Sequence, residues 1–154
     1  MGLNDLLSPK GVIYNLKARC KREALLALAE RAGDFIGEPP SEILATLLER
    51  EQLGSTGVGE GAAIPHGKIA GLGQITGFLA QLETPVNFDA LDDQPVDLIF
   101  LLLAPENATA AHLKALARVA RLLKDADSCA ALRGADSAEA LFAIAAADRK
   151  HHAA

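Results

Sequence analysis

A nearly continuous apolar run, VDLIFLLLA, occupies residues 96–104 and is closed by Pro105. A run of this length without alternation is typical of a strand that is covered on both faces. It therefore predicts a central strand and requires other elements on either side of it. Of the 154 residues, 50% are hydrophobic but only 4% are aromatic, which favours helices rich in Ala and Leu over an all-β sandwich.

The rest of the chain alternates between the spacings of helices and strands. Apolar residues at helical spacing predict helices over 22–32, 41–52 and 128–133, a helix capped by Asn107 or Thr109, and a last helix after the capping-box pair Asp136 and Glu139. Residues 74–82 predict a strand, and 12–16 an edge strand or a lead-in to the first helix. Gly33 is expected to end that helix.

This alternation predicts an α/β fold: one domain over 1–154, with a central mixed β-sheet flanked by helices. The short connection over 83–95 favours a mixed sheet over a wholly parallel one. The core is expected over about 6–145, and the polar tail 146–154 is expected to fray.

Charge and composition exclude several classes of protein. Fifteen Lys and Arg against 20 Asp and Glu give a net charge of −5, without the basic block of a nucleic-acid binder. The longest uncharged window, 69–82, is shorter than the roughly 20 apolar residues of a membrane span. Cys20 and Cys129 have no metal or redox spacing, which indicates reduced thiols. We expect a soluble cytoplasmic protein with no membrane insertion.

The segment GSTGVGEGAAIPHGK, residues 54–68, contains five glycines. It does not fit a Walker A loop, because the spacing from Gly61 to Gly67 is too long and Ile69 follows Lys68. It does not fit a dinucleotide fingerprint either, since a helix precedes it and Pro65 prevents a helix from starting there. The GxSxG nucleophile elbow is also absent.

What remains is a loop of exposed backbone N–H groups that ends in a stiffened histidine. Pro65 fixes its own φ, and Gly67 allows a close approach by another backbone or a phosphate. Such a loop suits an imidazole that accepts a phosphoryl group whose oxygens the N–H groups then hold. The alternatives are a tight turn with an incidental surface His66, or a binding loop that holds an anion without forming a covalent bond.

The segment EREQLGSTGVGEGAAIPHGK, residues 49–68, resembles the active-site signature of phosphotransferase-system enzyme IIA proteins of the fructose/mannitol class. The segment 81–105, followed by the tripeptide HLK at 112–114, resembles the nitrogen-regulatory branch most. The resemblance covers about 6–145. It implies a mixed sheet flanked by helices, and a phosphoryl group accepted by His66 at Nε2 from an HPr-like carrier, which an enzyme I paralogue charges from phosphoenolpyruvate.

The resemblance also implies roles for other residues. Arg50 would neutralise phosphoryl oxygens, and His112, in the first turn of its helix, would be a neutral hydrogen-bonding partner. The alternatives are a solvated charge at a helix end for Arg50 and a capping or surface side chain for His112. The expected phosphate-binding residues are Ser55, Thr56, Gly57, Gly59 and Gly61. Glu60 stands where the branch commonly has Asn, which places a like charge near the phosphate.

No cofactor or metal is expected, because the phosphoryl donor is a protein and the tail histidines His151 and His152 have no further ligand beside them. The implied partners are the HPr-like carrier and regulated proteins such as a sensor kinase or a potassium transporter, and a homodimer is left open. Lys114, Arg118 and Arg121 are either a solvated face or a docking surface. A sugar-specific IIA that passes phosphate to a separate IIB/IIC permease is the alternative function.

Overall fold

The computed structural model describes residues 2–147, which form a six-stranded sheet with helices on both faces. The strands are β1 Leu7–Leu16, β2 Gly57–Gly59, β3 Ala62–Ala63, β4 His66–Ile69, β5 Thr76–Val86 and β6 Val96–Pro105. The helices are α1 Lys21–Ile36, α2 Pro40–Gln52, α3 Thr109–Lys124, α4 Ala126–Gly134 and α5 Ala138–Ala146, and a 3₁₀ turn at Leu3–Asp5 precedes them. Residues 148–154, with His151 and His152 and most of the tail expected to fray, lie outside the described residues.

The sheet is mixed, as the sequence predicts. The strand order is β1-β5-β6-β3-β2, and β4 pairs with β6 beyond the end of β3. β1 runs parallel to β5, and β3 and β4 run parallel to β6. The β5–β6 and β2–β3 pairs are antiparallel. The predicted central strand is confirmed, because β6 pairs with β5 on one side and with β3 and β4 on the other.

Two hydrophobic clusters cover the two faces of β6. Ile99, Leu101 and Leu103 belong to the cluster with α1 and α2. Leu98, Phe100 and Leu102 belong to the cluster with α3, α4 and α5. Alternate side chains of a strand point to opposite faces, so an unbroken apolar run is what a two-sided cover requires. The second cluster includes Leu3, so the core begins earlier than the expected residue 6.

The structure corrects several expected helix ends. Gly33 lies inside α1, which ends at Gly37 in a left-handed conformation with φ 78°. A Cβ on Gly33 would lie 2.6 Å from the carbonyl oxygen of Glu38, so this glycine serves close packing instead. In α5 the capping side chain is Ser137, whose hydroxyl accepts from the N–H of Ala140.

The N-terminal boundary of α3 also differs from the expectation. Thr109 is its first residue and Ala108 its N-cap, so neither Asn107 nor the Thr109 side chain caps the helix. The Thr109 hydroxyl instead accepts a hydrogen bond from Nζ of Lys68. Within residues 2–147 we find no helix that is both long and apolar enough to cross a membrane.

Candidate functional site

A hollow of about 270 Å³ lies where the end of α2, the glycine-rich segment and α3 meet. Its lining residues are Arg50, Ser55, Thr56, Gly57, Val58, Ile64, His66, Leu116 and Ala120. The structure thus brings together the predicted acceptor His66, the predicted Arg50 and three of the five predicted loop residues. The lining combines one cation and one imidazole with an apolar floor.

His66 is the first residue of β4, and its ring is held in one tautomer. Its Nδ1 lies 2.8 Å from the carbonyl oxygen of Ile64. A carbonyl oxygen only accepts hydrogen bonds, so Nδ1 carries the proton and Nε2 carries the lone pair. The preceding Pro65 carbonyl accepts from the N–H of Leu102 on β6, which fixes the backbone below the ring. The sheet therefore presents a neutral, nucleophilic nitrogen to the hollow.

Gly67 lets β4 approach α2 closely. A Cβ on this residue would lie 2.6 Å from Cγ2 of Thr46 on α2, a distance that real Cβ atoms do not show. The group that approaches Gly67 is therefore a helix side chain, where the sequence predicted another backbone or a phosphate. It sets the distance between His66 and the last turn of α2.

Arg50, in that last turn, contacts His66 directly. Its Nε–H donates to Nε2 of His66 at 3.3 Å, and its Nη1 donates to the carbonyl oxygen of Gly54 at 2.9 Å. Burial lowers the pKa of His66, and the Arg50 charge lowers it further, while the Ile64 carbonyl opposes both. The imidazole is therefore neutral near pH 7, in the form that attacks an electrophile.

His112 lies in the first turn of α3 with its ring facing that of His66. The ring centroids are 5.6 Å apart and the planes are inclined by 74°. The residue is only 7% exposed, and within residues 2–147 its Nε2 has no hydrogen-bond partner. Burial lowers its pKa, and the charges of His66 and Lys68 act in the same direction. His112 is not among the residues that line the hollow, and it joins the site through the contact of its ring with that of His66.

The loop residues Ser55, Thr56 and Gly57 line the hollow, but their donors already have partners. The Ser55 hydroxyl donates to the carbonyl oxygen of Phe88 at 2.7 Å and accepts from the N–H of Gly57. The N–H and hydroxyl of Thr56 both donate to the carboxylate of Glu51. These residues shape the wall of the hollow in the structure.

Gly59 and Gly61 lie apart from the residues that line the hollow. They flank Glu60 at the tip of the β2–β3 hairpin, where all three residues have positive φ. The N–H of Glu60 donates to Asp92, and its carbonyl accepts from Arg133. The two glycines thus allow a tight hairpin turn, and Glu60 is fixed there by its backbone.

The sequence interpretation missed Glu51, whose carboxylate is turned away from solvent. Its side chain is 5% exposed and lies 2.9 Å from Nζ of Lys21 at the start of α1. Its position beside Arg50 in the motif was the available signal, but a charged residue at a helix end is usually solvated. Only the fold shows that this carboxylate turns inward.

The basic residues of α3 do not form the single patch that the sequence suggests. Arg118 is 1% exposed and belongs to the interior side of the helix. Lys114 and Arg121 remain on the exposed side. The expectation of a three-residue surface is wrong, because position 118 falls on the same helix face as the buried residues Ala115 and Leu122.

Three exposed leucines lie close in sequence to residues of the site. Leu91, Leu53 and Leu113 are 98%, 83% and 64% exposed. Leu53 is the C-cap of α2, three residues after Arg50, and Leu113 directly follows His112. Leu91 follows Ala90, whose Cβ packs against Gly57. Large exposed apolar side chains near a site of this kind are typical of a surface that docks another protein.

The sequence matches, over residues 5–147, the family model described as "Phosphoenolpyruvate-dependent sugar phosphotransferase system, EIIA 2". The chain belongs to this family. A nitrogen regulatory protein of Bradyrhizobium diazoefficiens is 47% identical to this EIIA chain over 146 residues, 95% of each chain. One from Escherichia coli K12 is 41% identical over 143 residues, 92% of this chain and 88% of the other.

More distant relatives and solved structures agree with this assignment. A fructose-specific EIIABC component of Bacillus subtilis is 30% identical over 147 residues, 94% of this EIIA chain but 23% of that protein. The crystal structure of nitrogen regulatory protein IIA-Ntr from Neisseria meningitidis has a TM-score of 0.87 at 35% identity, covering 92% and 97% of the two chains. The IIA–phosphorylated IIB mannitol complex of E. coli shares the fold, with a TM-score of 0.75 at 21% identity, over 92% of this chain and 99% of that one. The resemblance to the nitrogen-regulatory branch is confirmed.

Proposed function

We propose that this EIIA protein accepts a phosphoryl group on Nε2 of His66 from the phosphohistidine of an HPr-like carrier, and regulates other proteins according to its phosphorylation state. The observation that carries the proposal is the fixed tautomer. The Nδ1 proton is held by the Ile64 carbonyl, so the lone pair on Nε2 faces the hollow. A nucleophile in this state needs no general base to remove a proton before it attacks.

In the proposed step, Nε2 attacks phosphorus in line with the bond to the donor's imidazole nitrogen. The new N–P bond forms as the old one breaks, and the electron pair of the broken bond stays on the donor nitrogen. The guanidinium of Arg50 moves from Nε2 of His66 to the oxygens of the phosphoryl group. The buried Nε2 of His112 forms a hydrogen bond to the same group. Positioning and charge stabilisation thus supply the catalysis, as in phosphoryl transfer generally.

Ser55, Thr56 and Gly57 form the wall against which the phosphoryl group rests. We retain them as phosphate-contacting candidates, with Arg50 and His112 as the principal partners. Gly59 and Gly61 take a structural role in the proposal, because they flank the turn at Glu60. A resident cofactor has no part in it, since the carrier protein brings the phosphoryl group.

The exposed leucines support a protein as the donor. Leu53 and Leu113 are exposed apolar side chains on the elements that carry Arg50 and His112, and Leu91 follows Ala90, which packs against Gly57. A carrier that covers them would also expel water from the reacting nitrogen, which strengthens every charge interaction inside. In this proposal, phosphorylation adds up to two negative charges at the centre of the same surface, so one modification changes what docks there.

The nitrogen-regulatory function is favoured over the sugar-specific one by the relatives. Proteins named nitrogen regulatory protein match at 41–47% identity over 92–95% of the chain, whereas fructose-specific relatives match at 30% over 94% of it and at 38% over 68%. We propose regulated targets such as a sensor kinase or a potassium transporter, a cytoplasmic location, and phosphorylation as the switch. The sugar-specific alternative predicts onward transfer to the cysteine of a IIB partner.

The test is a reconstituted transfer with phosphoenolpyruvate, an enzyme I paralogue and its HPr-like carrier. Wild-type protein should gain one phosphoryl group that is acid-labile and base-stable, and peptide mapping should locate it on His66. His66→Ala should gain none while the carrier itself is charged. Label on His66→Ala, or no label on the wild type, would refute the proposal. Transfer onward to a IIB cysteine would favour the sugar-specific alternative.

A further inference from the structure

Arg50 and Glu51 are neighbours near the end of α2, and their side chains bind the two ends of one short loop, residues 54–56. Arg50 Nη1 donates to the carbonyl oxygen of Gly54 at 2.9 Å. The Glu51 carboxylate accepts from the N–H of Thr56 at 3.1 Å and from its hydroxyl. The end of α2 therefore holds the loop at its first residue through Arg50 and at its third through Glu51.

Glu51 is itself held by a counter-ion. Nζ of Lys21 lies 2.9 Å from its Oε1, and both side chains are largely buried. The Lys21 ammonium also lies 4.7 Å above the centroid of the Phe88 ring and 3.7 Å from a carboxylate oxygen of Asp89. A carboxylate that is 5% exposed and receives three charge-assisted contacts has one fixed orientation.

Hydrogen bonds continue from this carboxylate to Nδ1 of the acceptor ring, and the neighbouring residue on α2 contacts Nε2. The carbonyl oxygen of Thr56 accepts from the N–H of Ile64 at 3.0 Å, and the carbonyl of Ile64 accepts from Nδ1 of His66. Arg50, the neighbour of Glu51 on α2, contacts Nε2 of the same ring. Glu51 thus acts on one side of His66 through Thr56 and Ile64, and on the other through the helix turn that carries Arg50.

We propose that Glu51 is a positioning residue for phosphoryl transfer at His66. It holds the loop of residues 54–56 against α2, and through the Thr56–Ile64 bond it fixes the carbonyl that keeps the His66 proton on Nδ1. Its carboxylate touches neither the phosphoryl group nor the reacting nitrogen. The negative charge of Glu51 is compatible with a nearby phosphate site because its carboxylate is already bound by Lys21 and Thr56. The proposal rests on phosphoryl acceptance by His66.

The decisive variant is Glu51→Gln, which keeps the size of the side chain but loses the charge. We expect kcat for labelling of His66 to fall roughly ten- to hundredfold, because a misplaced nucleophile loses effective concentration. KM for the carrier should stay within twofold, since the exposed leucines are untouched. The ¹⁵N spectrum of His66 should show a lower population of the Nδ1–H tautomer. Glu42→Gln, an exposed residue of the same helix, is the matched control and should behave as wild type.

A second variant, Thr56→Val, covers the case in which Glu51→Gln does not fold. It removes only the hydroxyl bond to Glu51 and should also lower kcat and the Nδ1–H population at unchanged KM. Wild-type kcat and an unchanged tautomer in a folded Glu51→Gln or Thr56→Val protein would overturn the positioning role. That result is distinct from a failure of the proposed function, in which wild type and Glu42→Gln would also remain unlabelled.

Discussion

The Nε–H of Arg50 donates to Nε2 of His66 at 3.3 Å, so the nitrogen proposed to attack phosphorus is occupied by the cation proposed to stabilise the reaction. The contact is long for a hydrogen bond to nitrogen and is readily exchanged for a phosphoryl oxygen. It keeps the lone pair directed into the hollow until a donor arrives. The same guanidinium then binds the phosphoryl oxygens and stabilises the negative charge that develops on them during the transfer.

Replacing Arg50 should therefore affect both the rate and the acid–base behaviour of His66. We expect Arg50→Ala to lower the labelling rate by roughly 10²- to 10³-fold, the usual loss when an electrostatic stabiliser is removed. The pKa of His66 should rise, because the Arg50 charge is one of the groups that lower it. Single-turnover labelling and NMR titration of His66 measure the two effects. Arg22→Ala, an exposed cation on α1, should change neither, and an unchanged His66 pKa in Arg50→Ala would contradict the prediction.

Phosphorylation should change the titration of His112. In the unphosphorylated protein burial lowers its pKa, and its Nε2 has no hydrogen-bond partner within residues 2–147. A phosphoryl group on His66 would add negative charge beside the ring and accept from Nε2–H. Both effects favour the protonated imidazole, so the pKa of His112 should rise on phosphorylation. NMR titration before and after labelling gives the comparison, and a pKa that stays the same or falls would refute the proposed contact.

The lowered pKa of His112 also predicts a dependence of stability on pH. The unfolded state titrates near pH 6.5, whereas the folded state binds its proton at lower pH. Between these two values the unfolded state holds more protons, so the free energy of unfolding falls as the pH decreases below about 6.5. Each unit between the two pKa values corresponds to about 1.4 kcal/mol.

Urea unfolding at pH 7.5 and pH 5.5 tests this prediction with His112→Gln as the comparison. Other titrating groups contribute equally to both proteins, so the loss of stability between the two pH values should be smaller in His112→Gln. An equal loss in the two proteins would show that His112 does not couple to folding.

Packing between β4 and α2 predicts a compensating pair of substitutions. Gly67→Ala places a methyl group 2.6 Å from Cγ2 of Thr46, and we expect it to cost about 1–3 kcal/mol, as overpacking of a close contact does. Thr46→Ser removes that Cγ2 and should restore part of the loss in the double variant. Denaturant melts of the four proteins form the cycle. Strictly additive effects would show that the two residues do not meet.

The central strand and the constrained histidine of the hollow were open to prediction from the sequence because each has a local signature. The unbroken apolar run predicts β6, and Pro65 and Gly67 mark His66 as a constrained histidine. The helix caps were less predictable. Asp136 and Ser137 are adjacent candidates for the N-cap of α5, and it is the Ser137 hydroxyl that accepts from the N–H of Ala140. Such choices are decided by how the chain enters the helix, which depends on tertiary packing.

The burial of charged side chains was the larger failure of the sequence interpretation. Glu51 lies in the polar stretch 49–52 at the end of α2, and Arg118 lies between Lys114 and Arg121 at helical spacing, so each has the sequence signal of a solvated side chain. Glu51 turns inward because Lys21, about 30 residues earlier in the chain, arrives beside it when α1 packs on α2. A contact between distant segments leaves no periodic signal, so the positioning network around His66 becomes visible only in the fold.

The leucines around the hollow allow docking to be separated from chemistry. Leu113 is 64% exposed, so Leu113→Ala should change the free energy of unfolding by no more than about 0.5 kcal/mol. Burying a leucine against a partner stabilises a complex by roughly 1.5–3 kcal/mol, and its loss should raise KM for the carrier about ten- to hundredfold. The value of kcat should stay near that of the wild type, because His66, Arg50 and His112 are intact.

Leu26→Ala is the matched control for this prediction. Leu26 is also an exposed leucine on a helix, but it lies on α1 and is not among the residues that line or border the hollow. KM should be unchanged in this variant. A rise in KM of the same size for Leu26→Ala would mean that any loss of exposed apolar surface weakens the encounter. Unchanged KM for both variants would instead place the carrier on another part of the surface and leave the leucines around His66 without a docking role.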